Sequence, residues 1–243
     1  MAVDLVPPYV TLHVWGVSRR QVPAAVAAMA RDRRPLQRSA GLTFGKLLGT
    51  GDGRTFDIRD ADPRHWAVLA CWSDERAVAA FERSGLVTRW ERRVDDSGDD
   101  GERLRVLMRP VSSKGSWSGR EPFGDPVPYP TRGPVAALTR ARLRPRTAVT
   151  FWRAVPPVAA RAVRSPGLLL SVGVGEAPVG VQGTFSLWQD AQALTDFAYG
   201  STEHQRAIRR TRELGWYTEE LFARLEVLTA AGSVGGVTVD GVA

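Results

Sequence analysis

Hydrophobic and polar positions along the 243 residues fall into a rhythm that occurs twice. The apolar, β-branched run Tyr9 to Val17 (YVTLHVWGV) predicts a strand, and the Ala-rich face of Gln21 to Arg31 predicts a helix behind it. Leu42 to Leu48 and His65 to Trp72 predict two more strands, separated by the turn-forming GTGDG and an irregular loop. Asp74 stands as N-cap to a helix over Glu75 to Arg83, in which Ala77, Val78 and Phe81 share one face. Leu104 to Val111 supplies the last strand of the set. The order β-α-β-β-α-β is that of a ferredoxin-like unit.

After a polar, Gly- and Pro-rich stretch the order begins again, with strand Val135 to Leu143, helix Val149 to Val163, strands Leu168 to Val174 and Thr184 to Trp188, a helix capped by Asp190, and strand Leu225 to Thr229. The repeat also shows in the letters. CWSDERAVAAF (Cys71 to Phe81) aligns without a gap with LWQDAQALTDF (Leu187 to Phe197), and GTGDG (Gly49 to Gly53) answers GVGEA (Gly173 to Ala177). The organisation predicted is a first ferredoxin-like repeat over 1–111, a connection over 112–134, a second repeat over 135–232 and a flexible tail over 233–243. A ferredoxin-like sheet leaves one apolar face bare, and a second copy can cover it. The fold class is therefore α+β, two tandem βαββαβ repeats closing within one chain into a barrel of the dimeric α/β type.

Composition narrows the function. A net charge of +7 suggests a nucleic-acid partner at first, but Lys46 and Lys114 are the lysines and the arginines alternate with Asp, Glu and Ala on helix-like faces. No apolar run is long enough to span a bilayer, no secretory leader is recognisable, and the single cysteine, Cys71, fits a reducing compartment, so a cytoplasmic protein without nucleic acid is expected. Cys71 reads as a small core residue, and the acidic run Asp95 to Glu102 reads as a solvated loop rather than a cation site. The glycine loops lack the Gly-Lys-Ser/Thr of a phosphate-binding loop and read as turns or bulges.

Each of the three histidines can be weighed. His13 and His65 lie on strands and read as structural. On a helical wheel of STEHQRAIRRTRELG, His204 forms a narrow stripe with Ala207, Ile208, Thr211 and Gly215, opposite Arg206, Arg209, Arg210 and Glu213. Its imidazole is aimed at the sheet, where it serves either as a hydrogen-bonded core group or as a ligand.

The stretch Pro166 to Leu228 closely resembles the spheroidene monooxygenase family of carotenoid ketolases. The resemblance is carried by GVGEAP (Gly173 to Pro178), TFSLWQD (Thr184 to Asp190), HQRAIRRTRELGW (His204 to Trp216) and EELFARLEVL (Glu219 to Leu228). It extends to the first half through GTGDG, HWAVLACW (His65 to Trp72) and the linker SKGSWSGREPF (Ser113 to Phe123), with one departure: Gly45 stands where a bulkier aromatic is expected.

This resemblance implies a heme protein that uses dioxygen and reducing equivalents to put an oxo group on a long polyene, two hydroxylations at one carbon being followed by loss of water. It implies heme b with His204 as axial ligand to the iron, Ile208 on the same stripe, and Arg212 at its edge, ahead of Arg209, as partner for the propionates. The partners implied are a small apolar substrate and a ferredoxin-type electron donor, with peripheral membrane contact and a homo-oligomer left open. If Gly45 faces a pocket, its missing side chain would shift the substrate away from methoxylated acyclic carotenoids. Two rivals stand beside this reading: a heme-dependent dehydratase or nitrogen-oxidising enzyme, and a noncatalytic heme-binding barrel.

Overall fold

A computed structural model describes residues 6–52, 60–144, 146, 165–176, 183–199, 216–239 and 241. The first half contains β1 (Tyr9–Gly16), α1 (Val22–Arg31), α2 (Arg33–Gln37), β2 (Leu42–Gly51), β3 (Ala61–Trp72), α3 (Glu75–Glu82), α4 (Gly85–Asp95) and β4 (Glu102–Gly115). The second contains β5 (Val135–Leu143), β6 (Leu168–Gly175), β7 (Gly183–Trp188), α5 (Ala191–Tyr199), β8 (Tyr217–Val234) and the short β9 (Val237–Thr238). The helix expected over Val149 to Val163 lies outside the described residues.

β1 beyond Tyr9 and β3 from His65 onward are buried on both faces. Val10, Leu12 and Val14, with Ala67, Leu69 and Cys71, point into one continuous core. Trp15, Trp66, Val68, Ala70 and Trp72 point the other way and pack under the helices with Phe81, Leu86 and Trp90. Helix α4 is an addition to the sequence expectation. Ser84 caps it by accepting from Val87 N, and Leu86, Val87, Trp90 and Val94 form its buried face. The buried Asp32 carboxylate, at the corner between α1 and α2, anchors α4 by accepting from Arg89 at 2.7 Å and from Trp90 Nε1 at 3.1 Å.

The sheet order is β4-β1-β3-β2-β6-β7-β5-β8-β9, and β4 also pairs with β8, so the first eight strands close into a barrel. Its two halves, β4-β1-β3-β2 and β8-β5-β7-β6, follow one order, and each junction joins a strand to its own counterpart. The registers agree with this. Trp72 pairs with Tyr9 and Leu42 as Trp188 pairs with Val135 and Leu168, and Val10 meets Met108 as Ala136 meets Leu225. A two-fold relation requires every junction pair to have a reciprocal. Met108↔Val227 is matched by Pro110↔Leu225, and Gly115↔Leu221 by Leu104↔Gly232, with Arg109↔Glu226 on the axis. Gly115 and Gly232 have φ of 100° and 105°, and a Cβ on either would strike the carbonyl oxygen of Glu220 or Arg103 respectively. Only glycine fits both conditions, so the same device closes the barrel twice.

Trp72 and Trp188 occupy corresponding places, stacking near Phe81 and Phe197 with ring centroids 4.8 and 5.1 Å apart. Asp74 and Asp190 cap α3 and α5 by accepting from Ala77 N and Ala193 N. The glycine-loop match needs correction. Counting from the Leu42 and Leu168 pairings, the counterpart of Gly49 is Gly175 rather than Gly173, and these two residues face each other across the β2–β6 junction. The last strand is also far longer than Leu225 to Thr229, because β8 must pair with β5 on one side and β4 on the other.

Candidate functional site

His204, Ile208, Arg209 and Arg212 lie outside the described residues. The other residues singled out in the sequence are placed. His13 is buried among aromatics, 5.4 Å from Trp15 and 5.5 Å from Phe81 between ring centroids, and burial, aided by Arg105, pushes its pKa down to about 3. It is a neutral filler of the helix-covered face, and its Nδ1 has no hydrogen-bond partner among the described residues. His65 is clamped between Asp62 Oδ2 at 2.6 Å and Glu102 Oε2 at 2.7 Å. Burial opposes its charge, but the two carboxylates outweigh burial and raise its pKa. Glu102 also accepts from the backbone N–H groups of Gly235 and Gly236, so the clamp ties the β8–β9 turn to the barrel end. Cys71 lies in the barrel core, where burial pushes its thiol pKa up.

Gly45 corrects the substrate expectation. It pairs with Ala70, on the helix-facing side of the sheet, and a Cβ placed on it would lie 3.2 Å from Leu42 and 3.3 Å from Leu36 of α2. The missing aromatic is therefore absent from the helix layer and does not reshape the barrel interior.

That interior is one apolar cluster reaching from Val10 and Leu12 through Phe44, Leu48, Phe185 and Leu225 to Trp117 and Phe123. At the mouth closed by Trp117 lies a group of paired charges that the sequence reading did not assemble. Arg140 is 2% exposed and donates to Glu176 at 2.8 Å and to Glu219. Glu176 also accepts from Lys46 Nζ at 2.8 Å and Trp117 Nε1 at 2.6 Å, while Glu219 accepts from Gly119 N at 2.7 Å. Burial alone would raise the Glu219 pKa, but the Gly119 N–H and the Arg140 guanidinium hold it at about 2. Two cations and two carboxylates balance, so no member of the group is left as an uncompensated charge. Among the described residues no group of three or more His, Cys, Asp or Glu could hold a metal ion.

The outer face of the second half differs from that of the first in the size of its side chains. Paired residues of an antiparallel sheet share a face, so the two halves can be compared row by row. In the first half one outer row is His13, Val68 and Leu47, and the next is Thr11, Ala70 and Gly45. Their counterparts are Thr139, Thr184 and Gly173, then Ala137, Ser186 and Ser171. Ala141 replaces Trp15 in the adjoining row, by the offset that relates Tyr9 to Val135. His13, Val68 and Trp15 are at most 4% exposed. Thr139 is exposed, and Ala137, Ser171, Thr184 and Ser186 are half-buried. In the His13 and Trp15 rows the first half carries larger side chains, two of them rings, where the second carries Thr139, Thr184, Gly173 and Ala141, of which Ala141 and Gly173 are buried; in the Thr11 row both halves carry small side chains. Phe222 stands at the edge of the Thr139 row, 42% exposed. Nothing in the periodicity of one repeat reveals this floor; a residue-by-residue comparison of the two repeats would have found it.

A closed α/β barrel built from two ferredoxin-like units, with one sheet face cleared, is the class of protein defined by this geometry. No family model matches the chain. Curated relatives do match. Spheroidene monooxygenase of Rhodobacter capsulatus is 36% identical over 217 residues, covering 87% of this chain and 86% of the relative. The Rubrivivax gelatinosus protein of the same name is 34% identical over 234 residues, covering 96% and 82%. That of Cereibacter sphaeroides is 36% identical over 191 residues, which are 78% of this chain but 57% of the relative. The chain belongs to the spheroidene monooxygenase family and is an oxidoreductase, a monooxygenase. Among solved structures, an aldoxime dehydratase superposes with a TM-score of 0.56 at 13% identity, covering 90% of this chain and 80% of that one. Another, in complex with butyraldoxime, superposes with a TM-score of 0.58 at 11% identity, covering 90% and 79%. At such identities the likeness is one of fold.

Proposed function

We propose that this monooxygenase is heme-dependent, that heme b lies against the cleared outer face of the second-half sheet, and that the substrate is a long apolar polyene of the spheroidene type. The observation carrying the reading is the replacement of His13, Trp15, Val68 and Leu47 by Thr139, Ala141, Thr184 and Gly173, in the half whose sequence also carries His204. A Trp side chain buries about 150 to 250 Å², so Ala141 in place of Trp15, with smaller residues in place of His13, Val68 and Leu47, gives a flatter surface for a planar ring system to lie on. His204 would ligate the heme iron, Ile208 would line the macrocycle, and Arg212, with Arg209 second, would hold the propionates; these roles rest on the stripe in the sequence and on the family.

When bound, heme supplies the redox chemistry by which dioxygen, two electrons and two protons insert one oxygen atom into a C–H bond and release the other as water. The electrons come from a ferredoxin-type donor. A second hydroxylation at the same carbon gives a geminal diol, which loses water to leave a ketone. The chain's own contribution is the floor. Phe222 and the methyls of Ala137, Thr139 and Thr184 give the polyene an apolar surface, while the hydroxyls of Ser171, Ser186, Thr139 and Thr184 are short groups able to donate or accept a proton's hydrogen bond beside it.

The test is spectroscopic first. Purified protein reconstituted with hemin is expected to show a Soret band and about one b-type heme per chain, and His204→Ala to lose it. Full heme occupancy and an unchanged ferric spectrum in His204→Ala would put the ligand elsewhere. Ketone formation from spheroidene is expected only with a reductant; reductant-independent turnover would point to dehydration instead.

A further inference from the structure

The two mouths of the barrel are closed by equivalent segments of the two repeats. The offset that relates Gly115 to Gly232 also relates Trp117 to Val234, Ser118 and Gly119 to Gly235 and Gly236, and Glu102 to Glu219. Trp117 closes one end of the interior cluster, and Val234, joined by Val239, is buried in the same cluster. At each mouth a glutamate holds the crossing segment by its backbone N–H groups. Glu219 accepts from Gly119 at 2.7 Å, and Glu102 accepts from Gly235 and Gly236, both at 2.9 Å. The two clasps differ in the cation behind the glutamate. Arg140 stands behind Glu219 and keeps its charge at any ordinary pH. His65, 5% exposed, stands behind Glu102 and reaches it across β1, because Gly16, which pairs with both residues, carries no side chain. A Cβ on Gly16 would lie 2.7 Å from His65 Nε2 and 3.0 Å from Glu102 Cβ.

Each ring nitrogen of His65 lies against a carboxylate oxygen, Nδ1 against Asp62 and Nε2 against Glu102. Both contacts are hydrogen bonds only in the imidazolium, because a neutral ring has one N–H and turns a lone pair on the other carboxylate. Asp62 is fixed on the same strand by Arg64, whose backbone N–H donates to it at 2.9 Å and whose charge lies nearby. Glu102 Oε2, by contrast, is shared between His65 and the Gly235 N–H, so a lone pair turned on it acts on the closing turn as well. The other elements around the ring present uncharged residues: Gly16 from β1, Thr50 from β2, which donates to the His65 carbonyl at 2.8 Å, and Gly235 and Gly236 from the β8–β9 turn. We propose that His65 and Glu102 form a pH-operated latch on the segment 232–239: a protonated His65 fastens the turn to the rim, and a neutral one loosens the Glu102 clasp and opens that mouth while the Arg140 mouth stays shut. Burial lowers the His65 pKa, but Asp62 and Glu102 outweigh burial and raise it. The latch is therefore complete below the ordinary histidine pKa and is lost as pH rises through the raised one.

The experiment is amide hydrogen exchange of the full chain between about pH 6 and about pH 9, read by mass spectrometry as protection factors so that the intrinsic pH dependence of exchange is divided out. The segments 232–239 and 115–119 are followed side by side. In the wild type, protection of 232–239 is expected to fall by about tenfold or more across this range, while that of 115–119 is unchanged. His65→Gln, which cannot take up the charge, and Glu102→Gln, which removes its partner, should show low protection of 232–239 at every pH and no step. Far-ultraviolet circular dichroism checks that each variant is folded; if one is not, the comparison of the two mouths in the wild type decides alone. Parallel pH courses at the two mouths, or a fall in 232–239 that persists in folded His65→Gln, would overturn the latch. Constant protection of 232–239 in the wild type would mean that Asp62 moves instead of Glu102, and would overturn it equally.

Discussion

At the residue scale the two ends of the barrel are held by charges of different sensitivity. Arg140 is buried at one mouth between Glu176 and Glu219, so Arg140→Met would leave two carboxylates facing each other with Lys46 as the remaining cation of the cluster. Breaking a buried pair in this way costs about 3 to 5 kcal/mol, and a urea unfolding curve should show that loss. The pH dependence follows from Glu219, whose folded pKa of about 2 lies below the ordinary carboxylate value. A depressed carboxylate contributes stability that is present above the unfolded pKa and is lost as pH falls through the folded one. Stability of the wild type should therefore drop between about pH 4.5 and about pH 2, more steeply than that of Glu219→Gln; parallel acid limbs would show that Glu219 does not carry the effect. Lys46 and Arg140 fall on predicted strands, and Glu176, Glu219 and Trp117 sit in motifs that were visible in the sequence. Their convergence was not, because contact between residues such as Lys46 and Glu176, 130 positions apart, is decided by strand register rather than by local pattern.

At the scale of elements, strands with strict alternation were legible almost to the residue, as β5 (Val135–Leu143) shows. Helix α4 was missed although Leu86, Val87, Trp90 and Val94 have helical spacing, because Gly85 and the charged residues between them obscure the stripe. The first part of β8 was missed for the opposite reason. EELFARLE has the charge content of a helix, yet Leu221, Ala223 and Leu225 alternate inward while Glu220, Phe222 and Arg224 face out. Gly45 shows how one β-bulge changes which face a residue takes. The register shift between Leu42 and Phe44 sets Gly45 opposite Ala70, under α2, where Gln37 Nε2 donates to its carbonyl at 3.0 Å. Gly45→Phe is accordingly expected to overpack the helix layer, at a cost of about 1 to 3 kcal/mol, without altering the ratio of products from two acyclic carotenoids. A melting curve and a paired-substrate assay check this, and a changed product ratio at unchanged stability would return Gly45 to the substrate pocket.

At the scale of the whole molecule, duplication explains why one chain can carry both a rigid core and a site. Once closed, the barrel needs only one helix-covered face to be solid, and the first half supplies it with Trp15, Trp66, Trp72 and Trp90. The second half retains the end of that packing where Trp188 stacks on Phe197, and loses it from the row of Thr139 onward. If this loss is what makes room for the cofactor, restoring the first-half residues should close the room without harming the barrel. The variant Thr139→His with Ala141→Trp copies His13 and Trp15 onto their counterparts, and strand positions on this face already accept such side chains in the other half. Thr139 is exposed, but Ala141 is 8% exposed, so the added Trp is expected to cost about 1 to 3 kcal/mol and to lower the melting temperature while the barrel stays folded. Hemin affinity, read from the Soret titration, should fall by about tenfold or more, a change of about 1.4 kcal/mol or greater. Circular dichroism of the same samples separates the two ways of losing the ligand: an unchanged far-ultraviolet spectrum with lost hemin places the cofactor on the cleared face, whereas full hemin binding by the folded double variant would move it elsewhere.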